Sequence, residues 1–182
     1  DKNFPFPEQE DNRWDVLIFG IGGADHKDGG LLTDSILLFS LDKETNHSGL
    51  ISIPRDLYMN LPGLAKGKIN EIYEKGIARR KEIDFSKETF SRLTGVYVDN
   101  VIVFDFKTFK EIVDALGGIE IELKKPFEEK NQWGYEFSLP AGPNHLNGQD
   151  ALYFARSRYS TSDFDRSLRQ QQIIRVRLTS PP

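Results

Sequence analysis

Apolar residues in this chain arrive in short runs and alternations separated by glycine, proline and charge. "WDVLIFGIGG" (14–23) is a nearly continuous apolar run that closes in glycines, the pattern of a strand covered on both faces and feeding a loop. "TDSILLFSLD" (33–42) and "SGLISIPRD" (48–56) predict two further strands, joined by the polar turn "KETNH". "NVIVFDF" (100–106) predicts another, and the alternation of "IEIEL" (119–123) predicts a strand with one wet face. The period changes to that of a helix in "INEIYEKGI" (69–77) and in "SKETFSRLTG" (86–95), the latter with Ser86 as N-cap and Gly95 as its stop. "KTFKEIVDALGG" (107–118) places Phe109, Ile112, Val113 and Leu116 at 3/4 spacing and ends in glycines.

Residues 124–146 hold prolines, "NQWG" and "AGPN", and read as an irregular insertion or hairpin. Two helices follow, over 147–158 with Asn147 as cap and over 163–178. Residues 1–13 are polar with two prolines and read as a linker or surface arm, which leaves one domain over 14–182. Three early strands, then mixed elements, then two helices predict an α/β sandwich around a mixed sheet.

Composition narrows the function classes. A chain of 182 residues, 38% hydrophobic, can bury one sizeable core. Its net charge of −4 argues against general nucleic-acid binding, which leaves a basic footprint over the whole domain. The absence of cysteine excludes disulfides, a thiolate nucleophile and a cysteine-ligated zinc site. The longest apolar runs, such as "ILLFSL" (36–41), fall short of the roughly 20 residues needed to cross a bilayer. The first residue is not methionine and the last follow directly on a helical pattern, so the chain reads as a piece of a longer protein whose membrane anchor lies outside it.

Charge is unevenly spread. Six of eleven arginines (156, 158, 166, 169, 175 and 177) fall in the last 27 residues, and lysine is absent from 131–182. Arginine suits a site that grips phosphate oxygens in pairs, because its planar fork matches them and stays charged. On a helical wheel Arg166, Gln170, Ile173 and Arg177 fall within about 40° of one line, with Arg169 about 60° away. Taken alone, this helix reads as a solvated charged face. Two other segments change the balance: "SIPRD" puts Arg55 and Asp56 at a strand end, with Lys68 just beyond a Pro/Gly loop. The glycine-rich "GIGGADHKDGGLLTDS" (20–35) carries Asp25, His26, Asp28 and Asp34 but lacks the GK[ST] of a P-loop. Asp34 opens a strand, where it is either a turn residue or the one carboxylate a phosphate-carried Mg²⁺ asks for.

In this order, "DVLIFGIGG", "LTDSILLFSLD", "GLISIPRDLYMNLPG", "KIN", "FDFKTFKEIVDALGGIEIEL", "LNGQDALYFARSRY" and "DFDRSLRQQQ" resemble the LytR-CpsA-Psr family of extracellular cell-wall glycopolymer ligases. The resemblance implies a three-layer α/β/α fold with a hydrophobic pocket for a polyprenyl tail. It implies transfer of a glycopolymer from undecaprenyl diphosphate to peptidoglycan, as a phosphodiester, at the outer face of the cell membrane. On matching positions the diphosphate would be held by Arg55, Lys68, Arg156, Arg158, Arg166 and Gln170, with Arg169 nearby. Asp34 would be one Mg²⁺ ligand, and Arg55 and Asp34 the catalytic pair. The chain departs from the common pattern at Gly22, where many members carry an aspartate, and at Asp165, where glycine is frequent; Asp25 is a candidate substitute from the same loop.

Asp34 and Asp56 are the candidates for the base that activates the acceptor hydroxyl. Phe109, Ile112, Val113 and Leu116 are candidates for the lipid pocket, although core packing explains each of them more simply. Two other functions remain open: a polyprenyl-diphosphate hydrolase, using water as acceptor, and a non-catalytic binder of lipid-linked anionic polysaccharide.

Overall fold

A computed structural model of the protein describes residues 4–26, 30–130, 132–158 and 162–175. The chain is mixed α/β and divides into two compact units, Asp1–Asp105 and Phe106–Pro182.

The first unit contains, in chain order, β1 (Arg13–Ile21), β2 (Thr33–Asp42), β3 (Ser48–Ser52), β4 (Tyr58–Leu61) and β5 (Ala65–Lys68). A 3-10 turn (Ile69–Glu71), α1 (Ile72–Ala78), α2 (Glu82–Thr94) and β6 (Asn100–Asp105) complete it. Four strands form one mixed sheet in the order β3-β2-β1-β6, with β1 antiparallel to β2 and parallel to β6. The continuous apolar run of β1 has the expected cause: Val16, Leu17, Phe19 and Ile21 are all buried. Phe19 meets Phe90 of α2 with ring centroids 5.3 Å apart, and Ile36, Leu38, Ile69 and Ile72 close the core around them.

Two local expectations give way here. Ser86 is not an N-cap: α2 starts four residues earlier, at Glu82, and Ser86 is fully buried inside it. The helix extends because Phe85, Thr89 and Phe90 form one inward face, and burial of that face outweighs a serine's preference for the cap. Gly95 ends it as expected, at φ 72° with its N–H on Ser91 O. The Pro/Gly loop after "SIPRD" is the hairpin β4–β5, in which Met59, Leu61 and Ala65 point inward. The N-terminal arm is fastened to this unit: Phe6 packs edge-on to Tyr97 at 5.6 Å, and Arg92 donates to Phe4 O at 3.0 Å.

The second unit contains α3 (Phe106–Ala115), β7 (Ile119–Leu123), β8 (Phe127–Glu129), β9 (Phe137–Leu139), β10 (Gly142–Leu146), α4 (Gly148–Arg156) and α5 (Asp163–Ile174). Of the two readings of 124–146, an irregular insertion or a hairpin, the structure has the hairpin, β8 antiparallel to β9, followed by β10, which runs antiparallel to β7. On α3, Val113 is buried and Phe109 packs on the core of Ile119, Ile121, Phe127, Leu146 and Phe154, whereas Ile112, and Leu116 just after the helix, stay 41% and 47% exposed. Asn147 caps α4 as expected, accepting from Asp150 N at 2.9 Å. Among the described residues no helix is long and apolar enough to cross a membrane.

Gly148 fixes how α4 meets α3, because a Cβ there would stand 2.4 Å from Lys110 O. Gly148→Ala is therefore expected to destabilise the protein by about 1–3 kcal/mol, the usual cost of overpacking. In a thermal melt that is a fall of roughly 2–12 °C; an unchanged midpoint would show that the two helices yield.

Candidate functional site

In the first unit the segments "LTDS", "SIPRD" and "KIN" meet through backbone bonds and the Thr33 hydroxyl. Leu57 N donates to Pro54 O at 3.1 Å, which turns the chain just after Arg55. Ile69 N donates to Leu57 O at 2.9 Å and Asn70 N to Arg55 O at 3.3 Å, while the buried Thr33 hydroxyl donates to Asn70 O at 3.2 Å. The side chains then form a run of alternating charge. Arg55 Nη1 donates to Asp34 Oδ1, Arg55 Nε lies 3.6 Å from Asp56 Oδ2, and Lys68 Nζ donates to Asp56 Oδ1 at 2.8 Å. The two acids balance the two cations, so this cluster favours an anion through aimed N–H donors rather than through surplus charge.

The glycine-rich loop closes at its base, with Gly23 N on Gly30 O at 2.9 Å and His26 N on Gly23 O at 3.0 Å. A Cβ at Gly22 would lie 3.1 Å from both Cβ and Cγ of His26, so the imidazole fills the space in which a side chain at position 22 would begin. Asp25 is exposed in the same loop, and Asp28 lies outside the described residues. Among the described residues no three of His, Cys, Asp and Glu gather as a metal cage. A donor set of one carboxylate, Asp34, fits a hard cation that arrives with phosphate oxygens and keeps its waters, not a preformed cage.

The second unit organises the arginine-rich segments around the C-terminal end of α4. A helix leaves its last carbonyls without intrahelical donors, and their dipoles favour positive charge. Here side chains meet each of them in turn. Tyr153 O accepts from Ser157 N at 2.9 Å and Ser157 Oγ at 2.7 Å, Phe154 O from Arg169 Nε at 2.8 Å, and Ala155 O from Gln170 Nε2 at 3.3 Å. Arg156 O accepts from Gln132 Nε2 at 3.2 Å, and Ser157 O from Arg169 Nη2. Arg169 and Gln170, expected on the diphosphate, thus have these donors on backbone carbonyls of α4. Burial pulls the Arg169 guanidinium down to about 10, against the opposing effect of Asp165, which leaves it protonated at neutral pH.

Helix α5 is consequently inverted. Arg166 and Arg169 are its buried residues, while Phe164, Leu168 and Ile174 are exposed. Its start is fixed by a capping box: Asp165 N donates to Ser162 Oγ at 3.1 Å, and Ser162 N and Oγ donate to Asp165 Oδ2 at 3.1 and 2.7 Å. These bonds from Ser162 hold the Asp165 carboxyl below its usual range. The departure from glycine at 165 therefore has a local structural use. Arg166 reaches back to Asp163, Nη1 to Oδ1 at 3.3 Å. Arg177 lies outside the described residues.

With α4 held in this way, Arg156 and Arg158 leave its end on either side of the buried Ser157. The Arg156 guanidinium sits 3.9 Å from the Phe106 ring centroid and 5.2 Å from that of Trp133, so two aromatic faces constrain its plane. Trp133 is itself stacked on Tyr153 at 4.5 Å and donates Nε1 to Ser157 Oγ at 3.1 Å. Arg158 is exposed, its backbone N donating to Gln132 Oε1 at 2.7 Å. Gln132, Trp133 and Phe106 are the site residues that the sequence reading did not single out. The available signal was "NQWG", an amide and an indole side by side in a segment otherwise built for turns.

The family model described as the LytR_cpsA_psr family matches residues 1–178. The polyisoprenyl-teichoic acid–peptidoglycan teichoic acid transferase TagV of Bacillus subtilis (strain 168) is 32% identical over 166 residues, which are 87% of this chain and 41% of TagV. TagU of Bacillus cereus (strain ATCC 14579), which carries the same transferase name, is 32% identical over 164 residues, 88% of this chain and 50% of TagU. The crystal structure of B. subtilis TagV matches with a TM-score of 0.74 at 31% identity, covering 91% of this chain and 63% of that one. The chain thus spans about half the length, or somewhat less, of the curated relatives it matches. With the family pattern running through both the Asp34–Arg55 cluster and the end of α4, the chain belongs to the LytR-CpsA-Psr family.

Proposed function

We propose that this chain is the catalytic domain of a phosphotransferase that moves a glycopolymer from a polyprenyl diphosphate carrier to peptidoglycan. The observation that carries the reading is the presentation of Arg156 and Arg158 from a helix end whose carbonyls are all engaged, in a chain of the family whose relatives TagV and TagU are named as such transferases. In the reaction an acceptor hydroxyl oxygen bonds to the phosphorus that bears the sugar. The bridging P–O bond to the second phosphate breaks, polyprenyl phosphate leaves, and the hydroxyl proton passes to a base. The chemistry asks for little beyond positioning and for donors aimed at the charge that grows on the leaving phosphate. In the first unit Arg55, aligned by Asp34 and Asp56, and in the second unit Arg156 at the last turn of α4 with Arg158 just beyond it are each proposed as such donors, with Lys68 and Arg166 adding positive charge. Asp34 and Asp56 are the proposed bases. The apolar tail needs an apolar surface, to which the exposed Ile112 of α3 and Leu116 just after it are suited. A peptidoglycan acceptor places the domain at the outer face of the cell membrane, held there by a part of the protein outside this chain.

Mg²⁺ belongs to the same proposal: when bound it would neutralise charge on the diphosphate, with Asp34 as its protein ligand. Because the fit is to a phosphate-carried ion, calorimetry is expected to show saturable Mg²⁺ binding only after polyprenyl diphosphate is added. Asp34→Asn should weaken that binding roughly tenfold or more. Saturable Mg²⁺ binding to the lipid-free protein would contradict a phosphate-carried ion.

The function is tested by incubating the protein with lipid-linked glycopolymer, Mg²⁺ and peptidoglycan fragments. The expected products are glycopolymer joined to peptidoglycan through a phosphodiester, together with polyprenyl phosphate. Release of free glycopolymer phosphate in place of the joined product would make the protein a hydrolase, and tight binding without turnover would make it a binder.

A further inference from the structure

Gln132 sits 24 residues before Arg156 in the chain, yet its single amide touches the peptide units on both sides of Ser157. Its Nε2 donates to Arg156 O at 3.2 Å and its Oε1 accepts from Arg158 N at 2.7 Å. Its neighbour Trp133 adds two contacts to the same spot, the indole N–H on Ser157 Oγ and the ring face beside the Arg156 guanidinium. The geometry is that of a clip. An amide can donate and accept at once, so it fixes the two peptide planes relative to each other as a lone donor or a lone acceptor cannot.

We infer that Gln132 is a positioning residue for the diphosphate site, and that it acts by setting the directions in which Arg156 and Arg158 leave the end of α4. Ser157 has an extended backbone, φ −55° and ψ 131°, so the helix has already ended where the second arginine begins. Without the amide, the peptide unit that leads into Arg158 keeps the Arg169 bond to Ser157 O but loses the one to Arg158 N, so it can rock about that single anchor and the Arg158 guanidinium is spread over more directions. Arg156 keeps its two aromatic neighbours and is less affected. The role rests on the function proposed above, because the two arginines matter to it only as donors to a phosphate.

The test is calorimetric binding of geranylgeranyl diphosphate to Gln132→Ala and Gln132→Met, with the Arg156→Ala/Arg158→Ala double variant and the combined triple variant alongside. Gln132→Met keeps the length and bulk of the side chain, so a defect shared by both substitutions reports on the amide and not on a hole. Binding should weaken by about tenfold in both, the scale expected when a donor loses its alignment. Circular dichroism melts should stay close to the parent. In the background lacking both arginines, Gln132→Ala should have no further effect, since an amide that only aims them has nothing left to aim. Unchanged affinity in the Gln132 variants, or an equal loss in both backgrounds, would overturn the role and leave the function standing. Unchanged affinity in the double arginine variant would overturn both.

Discussion

Arg156→Ala is expected to reduce glycopolymer transfer by roughly 100- to 1,000-fold, the loss seen when one aimed donor is removed from a developing negative charge. The structure separates this effect from folding. Arg156 is only partly buried at the last turn of α4, its guanidinium lies over Phe106 and Trp133, and the helix end below it is held by Arg169, Gln170 and Gln132. Loss of the cation–π contacts should cost about 0.5–1 kcal/mol of stability, hence only a few degrees in a melt. Arg156→Lys sharpens the comparison, because it keeps the charge but loses the planar fork that two aromatic faces orient. Its turnover should fall between the parent and the alanine variant, nearer the latter. Single-turnover assays with lipid-linked glycopolymer measure both. An alanine variant within threefold of the parent, with an intact fold, would remove Arg156 from the chemistry.

Much of the first unit was legible because its strands carry long signals. The apolar run of β1 and the paired strands β2 and β3 follow from burial on both faces or from alternation over five or more residues. The β4–β5 hairpin escaped because each strand is four residues long and the prolines and glycines around it read as loop, although Met59 and Leu61 already alternate inward. Strands β8 and β9 are three residues each, below the length at which a period can be told from chance. Ser86 shows the opposite failure. A good cap residue stood beside a helical pattern, and the pattern continued through it because Phe85 had a core to enter.

The candidate site was legible in its chemistry and less so in its division of labour. The wheel placed Arg166 and Gln170 on one face of α5 with Arg169 close by, and that face is indeed turned inward. A wheel gives direction but no partner. It could not show that Arg169 and Gln170 would spend donors on the carbonyls of another helix, which depends on how α4 ends and where α5 packs. Gln132 was out of reach for the same reason: its partners are set by a tertiary turn, and a lone glutamine between an asparagine and a tryptophan carries no periodic signal. At Gly22 the sequence showed only a missing carboxylate, whereas the fold adds that His26 stands over the gap.

Arg169→Met should have the largest effect on stability. The side chain is 7% exposed and donates to both Phe154 O and Ser157 O, with its guanidinium 5.0 Å from the Phe127 ring and 5.7 Å from that of Phe154. Methionine fills a similar length and keeps the apolar contacts, so what it removes is the charge and the two hydrogen bonds. A hydrogen bond from a charged donor is worth about 1.5–3 kcal/mol, and two carbonyls at a helix end would be left without their partners. Relief of burying a charge offsets part of this, which gives a net loss of roughly 2–4 kcal/mol. For a chain of this size that lowers the melting midpoint by about 4–16 °C. Because those carbonyls belong to the end of α4, which closes at Arg156 just before Arg158, diphosphate binding should weaken as well, even well below the new midpoint. Arg169→Lys should recover only part of both, since one ammonium lacks the fork that spans Phe154 O and Ser157 O. A methionine variant that melts within a degree of the parent would mean that the buried charge costs as much as its hydrogen bonds return. Its retention at the end of α4 would then have to be explained by the direction it imposes on the arginines rather than by stability.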